Sequence, residues 1–400
     1  MADINASKHA QEVISSVYFR GDTAFFDNRL QLVGGIRAEQ TDIWGEGPLF
    51  NPAGNYQHDA NGNVVYRRDA AGNIIVTAGV KQHVLLVPIT DLLGVSKLTR
   101  IDRGQHTRKQ YLRLFPNLNL NYNVRENLIA RFAYYQSVGR PDFGQYMNGL
   151  TLPDTALIPS TTNVISVNNP AIKAWSAETY KVRVEYYYEG VGTINIGAYR
   201  RVFSNFFAST RFLVTPEFLA LYSVDPDEFG NYDVMTNENQ PDTLAMTGFE
   251  FDYKRSLTFL PLWARGVQVF ANASSQRAPD GIANNMNFVR LSGSWGFSVA
   301  RPKFVYRMNW NFRAPQRRAI IVVGRSIVPD TYNWGSKRLY LDVTLDYNLT
   351  RRVTVFGSMR NINDQTEDSK IYSPNTPDYA KFRQRVDYGS AWTFGMRGSF

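Results

Sequence analysis

SAWTFGMRGSF, Ser390 to Phe400, is the stretch on which the fold turns. Trp392, Phe394, Met396, Gly398 and Phe400 share one parity, and Ala391, Thr393, Gly395, Arg397 and Ser399 share the other. Side chains of a strand point to opposite faces with period two, so this strand has one large apolar face and one small or charged face. It also closes the sequence on an aromatic residue. An exposed apolar edge strand invites aggregation in water. A strand that closes a barrel in a membrane has no free edge, and its outer face meets lipid.

The same alternation recurs upstream in about thirteen segments: near 11–20, 28–41, 108–123, 127–138, 175–189, 192–206, 243–257, 264–275, 286–300, 302–313, 337–349, 351–362 and 388–400. In one of them Leu339, Leu341, Val343, Leu345 and Tyr347 oppose Arg338, Tyr340, Asp342, Thr344 and Asp346. In another Tyr180, Val182, Val184 and Tyr186 oppose Lys181, Arg183 and Glu185. Many of these segments are longer than the usual five or six residues of globular sheets, which suits tilted membrane strands. The connections alternate short and long. Long ones fall near 42–107, 139–174, 207–242, 276–285, 314–336 and 363–387. Short turns on one rim and long loops on the other suit an outer-membrane barrel, with the long loops outside the cell. A two-sheet sandwich gives no reason for that alternation. The expected fold is therefore all-β: an antiparallel transmembrane β-barrel.

Composition agrees. Mean hydropathy is −0.33, and no apolar run has the length of about 18 residues that a membrane helix needs. Half of each barrel strand faces a wet lumen, so a barrel reads as hydrophilic on average. Aromatic residues make up 14% of the 400, led by 25 Phe and 23 Tyr, as aromatic girdles require. Cysteine is absent, which excludes disulfides, thiol catalysis and Cys-based zinc sites. The formal charge is +9, yet the basic residues are spread singly rather than as the patch a nucleic-acid surface displays.

Nothing in the chain reads as an enzyme. His9, His58, His83 and His106 lie far apart in sequence and at no metal-ligand spacing, and there is no nucleophile elbow or phosphate loop. Glu250 with Asp252, and Asp342 with Asp346, sit among Lys and Arg on one strand face, as a solvated barrel lining would. No cofactor or metal is expected. In the first long loop, Asp59-Ala-Asn-Gly-Asn63 is echoed by Asp69-Ala-Ala-Gly-Asn73. Each reads as a hairpin turn, and the oxygen-ligand series of a calcium loop is incomplete. The inner parity is rich in charge: Arg37, Glu39, Arg113, Arg131, Lys181, Arg183, Glu185, Glu250, Asp252, Lys254, Arg290, Arg307, Arg313, Arg338, Asp342, Asp346, Arg360 and Arg397. Such a lumen holds water or grips something polar.

Tyr111 to Gln145, YLRLFPNLNLNYNVRENLIARFAYYQSVGRPDFGQ, resembles the barrel of TonB-dependent outer-membrane receptors, with a strand into Pro, N-L-N-L, a turn, a strand and R-P-x-F. Asn169 to Tyr188 resembles the following segment of that family, departing at Ala174-Trp175 where Pro-Glu is common. Gly248 to Pro261 and Met359 to Gln365 resemble two later blocks. The resemblance implies a 22-stranded barrel with a plug domain and a TonB-contacting box, of which this chain is expected to be the C-terminal part, about thirteen strands, over 1–400. Met1 to Ala10 is polar and reads as no signal peptide. The resemblance further implies energised uptake of an iron chelate, cobalamin or an oligosaccharide. The implied partners are outer-membrane lipid, a small-molecule or oligosaccharide ligand, the barrel assembly machinery reading Phe400, and the plug and TonB in the complete receptor. A passive porin, marked by an even strand count and an inward constriction loop, and a soluble sugar-binding all-β protein are the alternatives. Candidate ligand contacts in the loops and upper lumen are Trp44, Tyr56, Arg140, Asp142, Tyr146, Tyr232 and Trp334, because aromatic and charged loop residues on a rigid scaffold are common binding groups.

Overall fold

The computed structural model describes residues 8–77, 80–147, 149–153, 159, 163–169, 171–222, 224, 226–262, 265–279, 288–321 and 331–398. Its frame is one antiparallel sheet of thirteen strands paired in chain order. They are β1 (His9–Phe25), β2 (Leu30–Phe50), β3 (Arg100–Arg125), β4 (Leu128–Gly139), β5 (Trp175–Tyr187), β6 (Gly192–Ser204), β7 (Leu244–Ser256), β8 (Val267–Arg277), β9 (Leu291–Ala300), β10 (Phe304–Arg313), β11 (Arg338–Asn348), β12 (Val353–Arg360) and β13 (Ala391–Gly398). Among the described residues β1 and β13 do not pair with each other, so the sheet is not closed. A single sheet of this width excludes the two-sheet sandwich of a soluble sugar-binding protein. Phe400, expected as an assembly signal, lies outside the described residues.

Register carries the alternation from strand to strand. Trp310 lies opposite both Trp295 and Leu341, and Val343 lies opposite both Met308 and Met359. One parity is thereby held on one face across the whole sheet. That face is apolar and uncovered: Phe249 is 67% exposed and Met396 70%, with Leu112, Leu114, Val182, Val184, Ile196 and Leu345 also exposed. An apolar face this broad needs an apolar solvent. On β3 its stripe runs from Tyr122 to Leu112 and ends at Gln110. That is about 33 Å of strand, or about 25 Å of height at a tilt of about 40°, the thickness of a lipid-facing barrel band.

The opposite face is polar, and its ion pairs reach over intervening strands. Lys181 on β5 donates to Glu250 on β7 at 2.6 Å, across β6. Arg397 on β13 lies 3.4 Å from Asp346 on β11, across β12. Arg131 and Arg183 hold Glu185 at 3.1 and 3.2 Å. Side chains converge over a neighbouring strand in this way on the concave side of a curved sheet.

The strands are joined by short links at 26–29, 126–127, 188–191, 257–266, 301–303 and 349–352, and by longer ones at 51–99, 140–174, 205–243, 278–290, 314–337 and 361–390. β2 and β3 run further than alternation alone indicates, to Phe50 and from Arg100. Beyond the apolar band polar and apolar residues are mixed on both their faces, Gln40 and Asp42 with Trp44 on one and Thr41 with Ile43 on the other for β2, so period two has no signal there. The long links build small sheets of their own. Phe207–Leu213, Asp233–Asn239, Ile165–Val167 and Leu150–Thr151 form one; Gln316–Ile320, Tyr332–Gly335, Glu367–Tyr372 and Phe382–Val386 form another. The first is sealed by Ile165, Val214, Leu219, Phe229, Tyr232 and Val234.

Candidate functional site

On β2 the inner parity is Arg37, Glu39, Thr41 and Ile43. Glu39 is 4% exposed, Thr41 0% and Ile43 2%, far more buried than a water-filled lumen would leave them. The cover comes from residues 140–147 and 172–174 of the long link after β4, which lie inward over β1–β3. Its short helix Phe143–Met147 packs Tyr146 and Met147, with Ile172, against Ile43. Gly45 and Gly47 make room for it: a Cβ at Gly47 would sit 1.9 Å from the Met147 carbonyl oxygen.

Basic side chains fasten the segment by its carbonyls. Lys109 donates to the Ile172 carbonyl, Arg113 to that of Ala174 at 2.6 Å, and Thr107 Oγ1 to that of Tyr146 at 2.9 Å. Arg140 pairs with Glu39 and lies 3.5 Å from Glu12, while Arg37 holds the other oxygen of Glu39 at 2.5 Å. Arg37 and Arg140 meet Glu12 and Glu39 while Lys109 and Arg113 are held by carbonyls, so four cations stand against the carboxylates of Glu12, Glu39 and Asp142 and the patch is net positive. Tyr146 is 1% exposed, and burial pushes its hydroxyl well above the usual tyrosine range, with Tyr111 and Glu12 adding to the shift. Among the described residues the Tyr146 and Tyr111 hydroxyls and Thr41 Oγ1 are buried without a hydrogen-bond partner. Buried polar atoms of this kind are normally met by water or a ligand. Beside them Arg37, Phe115, Asn117, Ser137 and Arg140 border a shallow cavity.

Of the seven loop and lumen residues singled out from sequence, Arg140, Asp142 and Tyr146 come together here. Asp142 Oδ1 accepts from the Gln145 amide at 3.1 Å and shapes the turn into the helix. The other four are scattered. Trp44 is on the outward parity of β2, edge-on to His9 at 5.2 Å. Tyr56 stacks on His83 at 4.0 Å in the 51–99 link. Tyr232 belongs to the loop core, 4% exposed. Trp334 stacks on Tyr372 at 4.9 Å in the second loop sheet. Lys109 and Glu12 were missed, because no periodic signal foretells that a loop folds back onto a strand face.

Two smaller sequence features also resolve. Asp59 Oδ1 accepts from the amides of Asn61 and Asn63, and Asp69 Oδ1 from those of Ala71 and Asn73. These bonds hold both carboxyls below their usual range; the carboxylates serve their own turns. At the Ala174-Trp175 departure, Trp175 enters β5 opposite Gly139, where a Cβ would sit 1.9 Å from the indole, and packs on Phe203 at 5.4 Å. The large ring and the missing side chain are a matched pair.

Residues 3–396 match the family described as TonB dependent receptor-like, beta-barrel. No curated protein matches the chain. Among solved structures it is similar to the copper transporter OprC, with 11% identity and TM-score 0.57, covering 98% of this chain and 48% of that one. It is similar to the Serratia marcescens hemophore receptor HasR, solved with its hemophore HasA and heme, with 11% identity and TM-score 0.58, covering 97% and 51%. It is also similar to the ferric-catecholate import receptor Fiu of E. coli K12, with 12% identity and TM-score 0.57, covering 98% and 45%. The chain spans about half the length of these solved structures.

Proposed function

The chain belongs to the TonB-dependent receptor β-barrel family, an outer-membrane family of transporters rather than enzymes, and from this premise we propose that it forms barrel wall of a receptor for energised uptake of a scarce nutrient. The observation that carries the reading is the division of one thirteen-strand sheet into an outer face with a broad exposed apolar band and a charged inner face. The first is a surface for lipid, the second a surface for a polar solute or a polar domain. An iron chelate, cobalamin or an oligosaccharide is the class of cargo. Contacts to it come from Arg140 and Asp142 at the inner-face patch and from Tyr56 and Trp334 on the loops. Plug, TonB and the assembly machinery are partners of the complete receptor.

The inward residues 140–147 are also the kind of feature with which a passive channel narrows its lumen. The family favours the receptor. Uptake separates the two. Cells producing the receptor should accumulate one of these solutes in a TonB-dependent manner. Uptake that is equal with and without TonB would support the passive channel and overturn this reading.

A further inference from the structure

Arg313 ends β10 and Arg338 begins β11, and the two lie directly opposite each other on the inner parity. Like charges placed opposite across strands repel, and such pairs are destabilising. A third guanidinium joins them from the second loop sheet. Arg318 Nη2 donates to Glu367 Oε1 at 2.8 Å; Arg338 pairs with that same oxygen, and Arg313 Nη2 stands 3.7 Å from it. Glu367 is 9% exposed. Among the described residues it is the only carboxylate in ion-pair contact with any of the three guanidinium groups. Three positive charges therefore share one negative charge, in a place largely withdrawn from water. Nε and Nη2 of Arg313 and Nε of Arg338 are buried with no hydrogen-bond acceptor. Gly335 lies against the third arginine: a Cβ there would stand 2.9 Å from Arg318 Nη2.

A structural ion pair needs one arginine. Three, with donors left over, make a receptor for a further anion, because guanidinium forks match carboxylate and phosphate oxygens in bidentate fashion. We propose that Arg313, Arg318 and Arg338 form an oxyanion-binding site at the upper inner face of β10–β11, taking a phosphate or carboxylate group, with Glu367 as the internal counter-ion that an incoming anion displaces. The site goes beyond the uptake reading and does not depend on it, since it is tested by binding alone.

The experiment is titration calorimetry on the full chain in detergent micelles with inorganic phosphate, citrate, glucose 6-phosphate and glucose. Phosphate and citrate should bind saturably and glucose should not. Glucose 6-phosphate binding more tightly than phosphate would identify the anion as a group carried by a larger solute; equal binding would identify a free ion. Arg318→Gln and Arg338→Gln should each weaken phosphate binding at least tenfold. Glu367→Gln should tighten it at least threefold, a result that a merely structural bridge would not give. Arg307→Gln, at a separate ion pair with Asp346 on the same face, should bind as the unaltered chain does. Retained heat-modifiable gel mobility reports folding, and Arg318→Gln, altered on the loop sheet, carries the test if a strand variant fails it. Absence of saturable phosphate and citrate binding by the unaltered chain would overturn the proposal. So would unchanged binding in folded Arg318→Gln.

Discussion

Arg140, just past β4, pairs with Glu39 on β2 although β3 lies between them. This contact pins residues 140–147 to the inner wall, and Glu39 is almost fully buried beneath them. Removing one partner of a buried ion pair costs about 3–5 kcal/mol, because the other charge is left uncompensated. Glu39→Gln strands Arg140 and Arg37 together. Its urea midpoint should fall, and protease should cut within 140–174 faster than in the unaltered chain. Unchanged midpoint and cutting would mean the pair is incidental.

Facing decides the cost of a charge on β11. Val343 is on the lipid parity and Thr344 on the inner one. An Arg facing the middle of the bilayer costs about 2–4 kcal/mol in a barrel, whereas lumen substitutions cost little. Val343→Arg should therefore lower the urea midpoint of protein refolded into lipid vesicles well below that of Thr344→Arg. Equal midpoints would reject the assignment.

The link between β2 and β3 should respond to acid. His83 stacks on Tyr56 and contacts the tilted ring of Tyr66, and burial holds its imidazole below the usual value. The unfolded ring titrates near about 6.5. Its folded pKa is lower, so the unfolded form binds more protons and stability is lost as pH falls below about 6.5. The carboxyls of Asp59 and Asp69 are also lowered, but they titrate at lower pH and leave this window to His83. Amide exchange over 56–85 should be faster at pH 5.5 than at 7.5 relative to intrinsic rates, and His83→Phe should remove the difference. A difference that persists in His83→Phe would refute the role.

The twin Asp turns should behave as turns. Asp59→Ala removes the acceptor of two backbone amides and should raise exchange at Asn61 and Asn63, leaving the sheet strands unchanged. Millimolar calcium should not shift thermal unfolding of the unaltered chain. A calcium-dependent shift that Asp59→Ala abolishes would restore the metal reading.

The sheet was legible because period two is a local signal repeated on every strand. Leu341, Val343 and Leu345 declare a face without reference to anything distant. The site was less legible for a reason of the same kind. Glu39 reads as one lumen charge among many, and only a loop about a hundred residues away, bringing Arg140 and Tyr146 back over it, makes it buried. Tyr232 illustrates the converse. It reads as an exposed loop aromatic, but the long links carry apolar residues enough, Ile165, Leu219 and Val234 among them, to close a small core around it. Beyond Ala38 and Leu112 the outward residues of β2 and β3 turn largely polar, Gln40, Asp42 and Gln110 among them with Trp44 as an exception, which hid the upper reach of both strands.

Which parity of the sheet meets lipid and which an aqueous interior is directly measurable, because the sequence has no cysteine of its own. Single cysteines at Val182, Phe249 and Leu345, and at Arg183, Glu250 and Asp346, are to be labelled with an environment-sensitive fluorophore in bilayers containing brominated lipid. Strong quenching at the first three positions and little at the second three is the predicted result. Equal quenching of the two sets, or the reverse order, would contradict the account.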